Sequence, residues 1–441
     1  MSQYKSRILY RIDIVCDTPL KVGYGEKGIL TDDFVILDEN GLPFIPGTTL
    51  AGIMKHQLPP DLGNMLFGTQ ENGSRLTVTD AKLVYENGRA ADGLVNDFTP
   101  LLSRYADLPV RQHVRIGHHG AHVKGGKFDE QVVFAGSRFR FEMELVSDKV
   151  QGESMDALID LLTTGTFRIG GGTRKGFGKT HIVGIKKATL DLSLNKDLNA
   201  YLEKSSSLDE DWSGWQTSDI PCPSSSTNKW KTICLTLTPE DFFLFSSGFG
   251  GENSDMAPVK EIRISWNGDT PSVEEGLSLI PASSVKGALA HRVAFYYNKI
   301  KGIHAEDIQA PDDYAMSNNK AVRTLFGAAG NKRERSVRGN VIVSDLYSRL
   351  DEMNLHHVTV NDYTGGALEG HLFSEDVSWG NGHVFNLEIL VNQAALLDSE
   401  IKEAFYSALH DICDRFLPLG GGVNRGHGVF SGTIEENDNQ A

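Results

Sequence analysis

Gly170-Gly-Gly-Thr-Arg-Lys-Gly-Phe-Gly-Lys179 and Gly420-Gly-Gly-Val-Asn-Arg-Gly-His-Gly428 are two copies of one glycine-rich turn, about 250 residues apart in a chain of 441. Each follows a stretch with helical spacing and runs into a strand-like one, His181-Ile-Val-Gly-Ile185 or Val429-Phe-Ser-Gly-Thr-Ile434. The consecutive glycines, Gly170, Gly171 and Gly172 or Gly420, Gly421 and Gly422, allow positive φ and close approach to a ligand. Arg174, Lys175 and Lys179 follow in the first copy, Asn424 and Arg425 in the second. Backbone N–H groups beside cations read as a phosphate cradle. The competing reading is a tight helix-to-strand connection that needs glycine for geometry. Recurrence with arginine at or next to the same offset favours the ligand. A repeat this long is a whole domain rather than a solenoid unit.

Two familiar nucleotide loops do not fit. The dinucleotide fingerprint runs strand, glycines, helix, the reverse of the order here. Gly178-Lys179-Thr180 looks like the end of a P-loop, but that motif needs glycine where Thr173 stands and a helix afterwards.

The length allows two or three domains, and 40% hydrophobic residues fill ordinary cores. No apolar run is long enough to span a membrane. The N-terminal residues lead into a strand pattern without a secretory core, so a cytoplasmic protein is expected. Cys16, Cys222, Cys234 and Cys413 form no CxxC pair, which fits reduced thiols and argues against a structural zinc site. The net charge of −15 argues superficially against nucleic acid. Placement decides binding, however, and cations gather at Arg174-Lys175 and in Asn331-Lys-Arg-Glu-Arg-Ser-Val-Arg338.

Landmarks recur in the same order in both halves. Strand-like 5–16 is answered by Trp230-Lys-Thr-Ile-Cys-Leu-Thr-Leu237. Phe44-Ile-Pro-Gly-Thr-Thr-Leu-Ala-Gly52, where a helix begins, is answered by Leu279-Ile-Pro-Ala-Ser-Ser-Val-Lys-Gly287. Thr48 and Thr49 are good N-caps there. Leu66-Phe-Gly68 recurs as Leu325-Phe-Gly327, and the strand ending at Asp80 as Val341-Ile-Val-Ser-Asp345. A long excursion ending in Phe128-Asp-Glu130 matches 358–375. Amphipathic helices at 154–164 and 399–416 precede the glycine turns. Residues 193–229, rich in Ser, Asp and Asn, read as a linker between domains 1–192 and 230–441. Each half thus alternates strand, helix, strand, strand, helix, strand. That is an α+β chain of two tandem ferredoxin-like, RRM-like βαββαβ domains.

These segments, with Asp362-Tyr-Thr-Gly-Gly-Ala and Leu372-Phe373, resemble the repeat-associated mysterious proteins (RAMPs), the superfamily of RNA-binding subunits in CRISPR effector complexes. The resemblance covers nearly the whole chain except the linker. It is nearest to backbone subunits of type III complexes, and two domains on one chain look like the fused proteins of type III-D systems. The resemblance implies a CRISPR RNA lying across the palm of each domain, target RNA, other effector subunits as partners, and thumb-like hairpins that interrupt the guide–target duplex. It also implies an aspartate before the Ile-Pro-Gly segment that cuts target RNA with Mg²⁺ or Mn²⁺. Matching on the following valine puts Asp32 of Thr31-Asp-Asp-Phe-Val35 and Asp255 of Ser254-Asp-Met-Ala-Pro-Val259 there, with a one-residue offset in the second and Asp33 as the alternative in the first.

The expected RNA contacts are Thr48, Thr49, Ser283 and Ser284 at helix starts, where N–H groups hold phosphate, with Lys55 and Lys286 on the same helices. Val123, Phe128, Leu372 and Phe373 are the candidate thumb wedges, with ordinary hairpin packing as the alternative. His113, His118, His119 and His122 are irregularly spaced, without a cysteine partner, and are not read as a metal site. Two other functions remain open: an inactive scaffold of the same complex, and a metal-independent CRISPR RNA processing endonuclease using His56 or His291 as general acid or base.

Overall fold

In the computed structural model the described residues are 5–23, 25, 31–117, 120–148, 153–221, 229–251, 254–304, 306, 318–330 and 335–437. Strand Ser6–Cys16 carries Ile8, Tyr10, Ile12 and Ile14 on one face, and all four are buried in the first core. It pairs antiparallel with Arg138–Ser147 on one side and Thr180–Asp191 on the other. Leu76–Val78 and Lys82–Tyr85 pair with the far edge of Arg138–Ser147. The core strands therefore lie in the order second, third, first, fourth. Helices Gly47–Gln57 and Glu153–Thr163 follow the first and third strands and set Leu50, Met54, Leu158 and Ile159 into the same core.

The second half repeats this order. Its sheet runs Val341–Val343, Phe385–Asn392, Trp230–Pro239, Phe430–Asn437. Helix Ala282–Lys301 buries Val285, Leu289 and Val293, and helix Ser399–Cys413 buries Ile401, Phe405, Leu409 and Ile412. The chain is mixed α+β, as expected. The last helix ends three residues before the expected 416. Asp411 carbonyl oxygen takes the N–H groups of both Phe416 and Leu417, Arg415 turns left-handed at φ 71°, and Phe416 swings out to solvent.

The stretch expected as a linker differs from an unpacked connection over much of its length. Asn195–Glu203 is helical, and Gln216–Thr217 adds a strand beside Thr180–Asp191. Trp212 buries against Leu9, Ala188 and Leu190 on the sheet's outer face. Arg11 reaches across to the carbonyls of Ser207 and Glu210. Low hydrophobic periodicity hid this cover, because a few aromatics and backbone hydrogen bonds hold it.

A hairpin leaves each half. Val110–Ile116 pairs with His122–Gln131, and Asp351–Val360 with Ala367–Trp379. The base of the first is locked to the second half. Buried Arg111 forks onto Glu261 (2.5 and 2.7 Å) and reaches Asp345 (2.6 Å) and the Tyr347 hydroxyl (2.9 Å). Beside it, Trp266 donates to Gly136 carbonyl oxygen and Ile264 enters the first core. Gly136, at φ 84°, cannot carry a side chain, since a Cβ would meet Ile264 carbonyl oxygen at 1.7 Å.

Candidate nucleic-acid interface

The two glycine turns share one hydrogen-bond pattern. Gly171 and Gly421 N–H donate to Lys21 and Leu244 carbonyls, and Gly178 and Gly428 N–H to Pro19 and Phe242 carbonyls. Lys175 and Arg425 N–H close back on Gly172 and Gly422. Gly170, Gly172, Gly176 and Gly178 have positive φ, as do Gly420, Gly422, Gly426 and Gly428. At Gly172 and Gly422 a Cβ would also lie 2.4 Å from the ring of Phe177 or His427. The glycines thus serve packing, and the N–H groups of 171, 175, 177 and 178 are taken by main-chain oxygens. The backbone cradle expected from sequence is therefore largely filled by the protein itself, and the side chains are what each turn offers a ligand.

The helix starts also differ from expectation. The N-cap residues are Pro46 and Pro281, without side-chain caps. Thr48, Thr49, Ser283 and Ser284 lie inside the first turn, and Thr48 and Ser284 are exposed. The capping anion is a carboxylate: Asp80 accepts from Gly47 N–H and Asp345 from Ala282 N–H, each at 2.7 Å. A carboxylate there satisfies the positive helix end that a phosphate was expected to take. Lys55 donates to Gly68 carbonyl oxygen at 2.6 Å and so is committed to the fold. Lys179 pairs with Glu388 at 3.0 Å across the halves.

Lys286 stands apart. The first glycine turn packs onto the start of its helix; a Cβ on Gly176 would lie 2.6 Å from Ala282 Cβ. Arg174, Lys175 and Lys286 therefore converge at the junction of the halves. Burial, then the Arg174 and Lys175 charges, pull the Lys286 ammonium down to about 8. Burial, then Arg338 and Arg168, bring Arg174 down to about 10. Arg174 donates to Gly339 carbonyl oxygen and stacks on Trp230. No carboxylate partners Lys286 among the described residues. Lys175 has Glu130 at 3.8 Å, so the cluster carries more positive than negative charge, which favours an anion. Of the basic stretch 331–338, only Arg335 onward lies within the described residues.

Asp32 and Asp255 are exposed at the roots of the two hairpins. Asp32 Oδ2 accepts from Asp129 N–H (3.2 Å), and Asp255 Oδ2 from Ser374 N–H (2.8 Å). The next residues, Glu130 and Glu375, are buried. Asp33 instead pairs with Lys21 at 2.6 Å, and Lys21 also binds Glu130. Around each glutamate the halves repeat a motif that sequence reasoning missed. His113 lies 2.8 Å from Glu130 and stacks on Phe128; His357 lies 2.8 Å from Glu375 and stacks on Phe373. Lys175 covers Phe128 at 4.5 Å, and Arg425 covers Phe373 at 5.5 Å. Burial raises Glu130, but His113 and Lys21 outweigh it and hold the carboxyl down to about 2. The shared Phe-x-Glu ending was the available signal.

These stacks occupy Phe128 and Phe373 near the hairpin roots, away from the tips where a wedge would stand. Leu372 is 69% exposed on its arm, Val123 is half-buried, and Tyr363 at the second tip is 99% exposed. Tyr363 is thus a fully exposed ring at a hairpin tip. His118 and His119 lie outside the described residues; His113 serves Glu130, and His122 begins the second arm. Asn424 and Arg425 are exposed, and Arg425 binds Glu375 at 2.5 Å.

A family model described as the RAMP superfamily matches residues 13–181 and 249–431, well over half of the chain. The chain belongs to the RAMP superfamily. No curated protein matches it. Each matched region of this RAMP protein holds one glycine turn and one root aspartate, with the hairpin that the aspartate meets; the second region also holds the hairpin of Lys260–Asn267 and Thr270–Ile280. Membership points to a CRISPR-associated RNA-binding subunit. Among the described residues no helix is long and apolar enough to cross a membrane.

The root aspartates of this RAMP protein are exposed carboxylates, the donor type that Mg²⁺ takes. Mg²⁺ is commonly held by one or two carboxylates plus substrate phosphates while keeping several waters. Asp129 lies beside Asp32, accepting from its N–H, whereas Asp255 Oδ2 accepts from Ser374 N–H. Neither belongs to a group of three possible ligands among the described residues.

Proposed function

We propose that this chain is the fused, two-domain CRISPR RNA-binding backbone of a type III, III-D-like, effector complex in the cytoplasm, and that it cuts guide-complementary target RNA at Asp32 and Asp255. In this reading domains 1–192 and 230–441 are ferredoxin-like, with thumb-like hairpins. The strand order second, third, first, fourth in both sheets supports it. The observation that carries the catalytic reading is the equivalence of the two root aspartates. They come from loops of different sequence, yet both are exposed and bound to the N–H just before the buried hairpin glutamate.

RNA phosphates meet the Arg174, Lys175 and Lys286 cluster and the second-turn pair Asn424 and Arg425, which fix the register of the strand. Sequence is read by guide pairing rather than by the protein. Asp32 and Asp255 sit where the hairpin opens the duplex and offer carboxylate oxygens at the scissile linkage. There the RNA's own 2′-hydroxyl attacks the adjacent phosphate, losing its proton to water; the P–O5′ bond breaks, leaving a 2′,3′-cyclic phosphate and a 5′-oxygen that takes a proton from water. Mg²⁺ or Mn²⁺, when bound, supplies positive charge for the developing oxyanions.

The test is target-RNA cleavage by the assembled complex with and without Mg²⁺, comparing wild type, Asp32→Ala, Asp255→Ala and the double variant. Loss of one distinct cut per substitution supports the reading. Identical cuts in all four proteins make the chain a scaffold. Cleavage of guide precursor that survives chelation favours the processing endonuclease.

A further inference from the structure

Three ligand atoms converge at the root of the second hairpin. His357 Nε2 lies on one arm, Glu375 Oε1 on the other, and His427 Nε2 on the glycine turn. All lie within 4.8 Å of one another. The two imidazole nitrogens stand 2.8 and 3.0 Å from the same carboxylate oxygen. Glu375 has no exposed side-chain area and His427 is buried, while His357 is 26% exposed. Two nitrogens and one carboxylate oxygen, with one side open to solvent, form the donor set of a tetrahedral Zn²⁺ site that keeps a water position.

The rings are held in place. His357 stacks on Phe373 with centroids 4.7 Å apart, and His427 is gripped between Phe242 and the Cβ-free Gly422. Arg425 takes the other oxygen, Glu375 Oε2, leaving Oε1 to face the histidines. An outer partner of this kind orients a ligating carboxylate, and its positive charge also lowers affinity below that of a closed structural site.

We infer that His357, Glu375 and His427 form a binding site for Zn²⁺ or a similar borderline cation such as Co²⁺. The site is independent of the target-cutting reading and uses neither Asp32 nor Asp255. The cation accepts lone pairs from both Nε2 atoms, so each neutral imidazole carries its proton on Nδ1. Its consequence is mechanical: both arms of the hairpin become tied to the glycine turn.

The first half supplies its own control. It keeps His113 and Glu130 but places Phe177 where the second half has His427, and Lys21 and Lys175 lie on the glutamate. It therefore holds two ligands and no site. Phenylalanine at 427 is thus a substitution that the same turn already accommodates elsewhere in the chain.

The experiment titrates the full-length chain with Co²⁺ alone and follows the visible absorption of a tetrahedral centre, then displaces it with Zn²⁺. Wild type is expected to take up one such Co²⁺ at micromolar concentration. His427→Phe and His357→Gln should each lose the band, or weaken binding at least ten-fold, while their metal-free circular dichroism stays that of wild type. If His427→Phe misfolds, the partly exposed His357→Gln decides alone. A wild type without the band, or a band retained in the folded variants, overturns the site.

Discussion

Asp32 and Asp255 accept the same hydrogen bond in the two halves, from the N–H of the residue that precedes the buried hairpin glutamate, at 3.2 and 2.8 Å. A single exposed hydrogen bond of this type contributes about 1 kcal/mol. Asparagine keeps an acceptor oxygen but not the charge. Asp32→Asn and Asp255→Asn should therefore fold with stability within about 1 kcal/mol of wild type in urea melts. A larger loss would make these carboxylates structural.

On the proposed RNA-binding role, Lys286 gives binding a pH dependence. Its ammonium is down to about 8 in the free protein, and a phosphate would raise it back toward the ordinary lysine value of 10.5. Binding then takes up a proton whenever the pH exceeds about 8. Affinity should be flat below that pH and fall as the pH rises from about 8 to 9.5, before Arg174 begins to titrate. Lys286→Met should weaken binding and abolish the slope. An equal slope in both proteins would exclude Lys286 from the interface.

Arg111 joins the halves through buried carboxylates. Arg111→Met leaves Glu261 and Asp345 without their cation and should cost about 3–5 kcal/mol in urea unfolding. The two halves should then also melt in separate transitions. A single unchanged transition would show that the apolar contacts around Ile264 suffice.

The glycines of one turn should differ sharply from each other. Gly172 has φ 67° and no room for a Cβ, whereas the nearest atom to a Cβ on Gly171 is 3.7 Å away and its φ is ordinary. Gly172→Ala should destabilise by more than about 1–3 kcal/mol, and Gly171→Ala by less than about 1 kcal/mol. The same contrast holds for Gly422 and Gly421, measured by thermal melting.

Glu130 gives an acid-side dependence. Its folded carboxyl is depressed from 4.5 to about 2, so its stabilisation is complete above about 4.5 and is lost as the pH falls toward about 2. Glu130→Gln should lower stability near neutrality and flatten the melting-temperature profile over that window.

The mixed α+β character was legible because its signals are local or periodic. The alternation in Ser6–Cys16 and the helical spacing of Ile401, Phe405 and Leu409 fold as read, whereas the backbone N–H groups of the glycine turns go to main-chain oxygens rather than to an open cradle. The resemblance, matched on a following valine, pointed to Asp32 and Asp255; each accepts an N–H from a hairpin strand. What was not legible depends on contacts distant in sequence. Asp80 and Asp345 cap helices that begin 33 and 63 residues earlier in the chain. Lys55 and Lys286 look alike as helix lysines, yet one caps a loop carbonyl and the other meets the first glycine turn. The His–Glu–Phe stacks need the hairpin register, His113 opposite Phe128 and His357 opposite Phe373, before their partners meet.

The most direct test is the cleavage pattern of one long complementary RNA by complexes carrying Asp32→Asn or Asp255→Asn in Mg²⁺. Each substitution should slow its own cut by at least about 100-fold, leave the other cut in place, and change RNA affinity by less than about three-fold. Cuts that survive at wild-type rate in the double variant would contradict the catalytic reading.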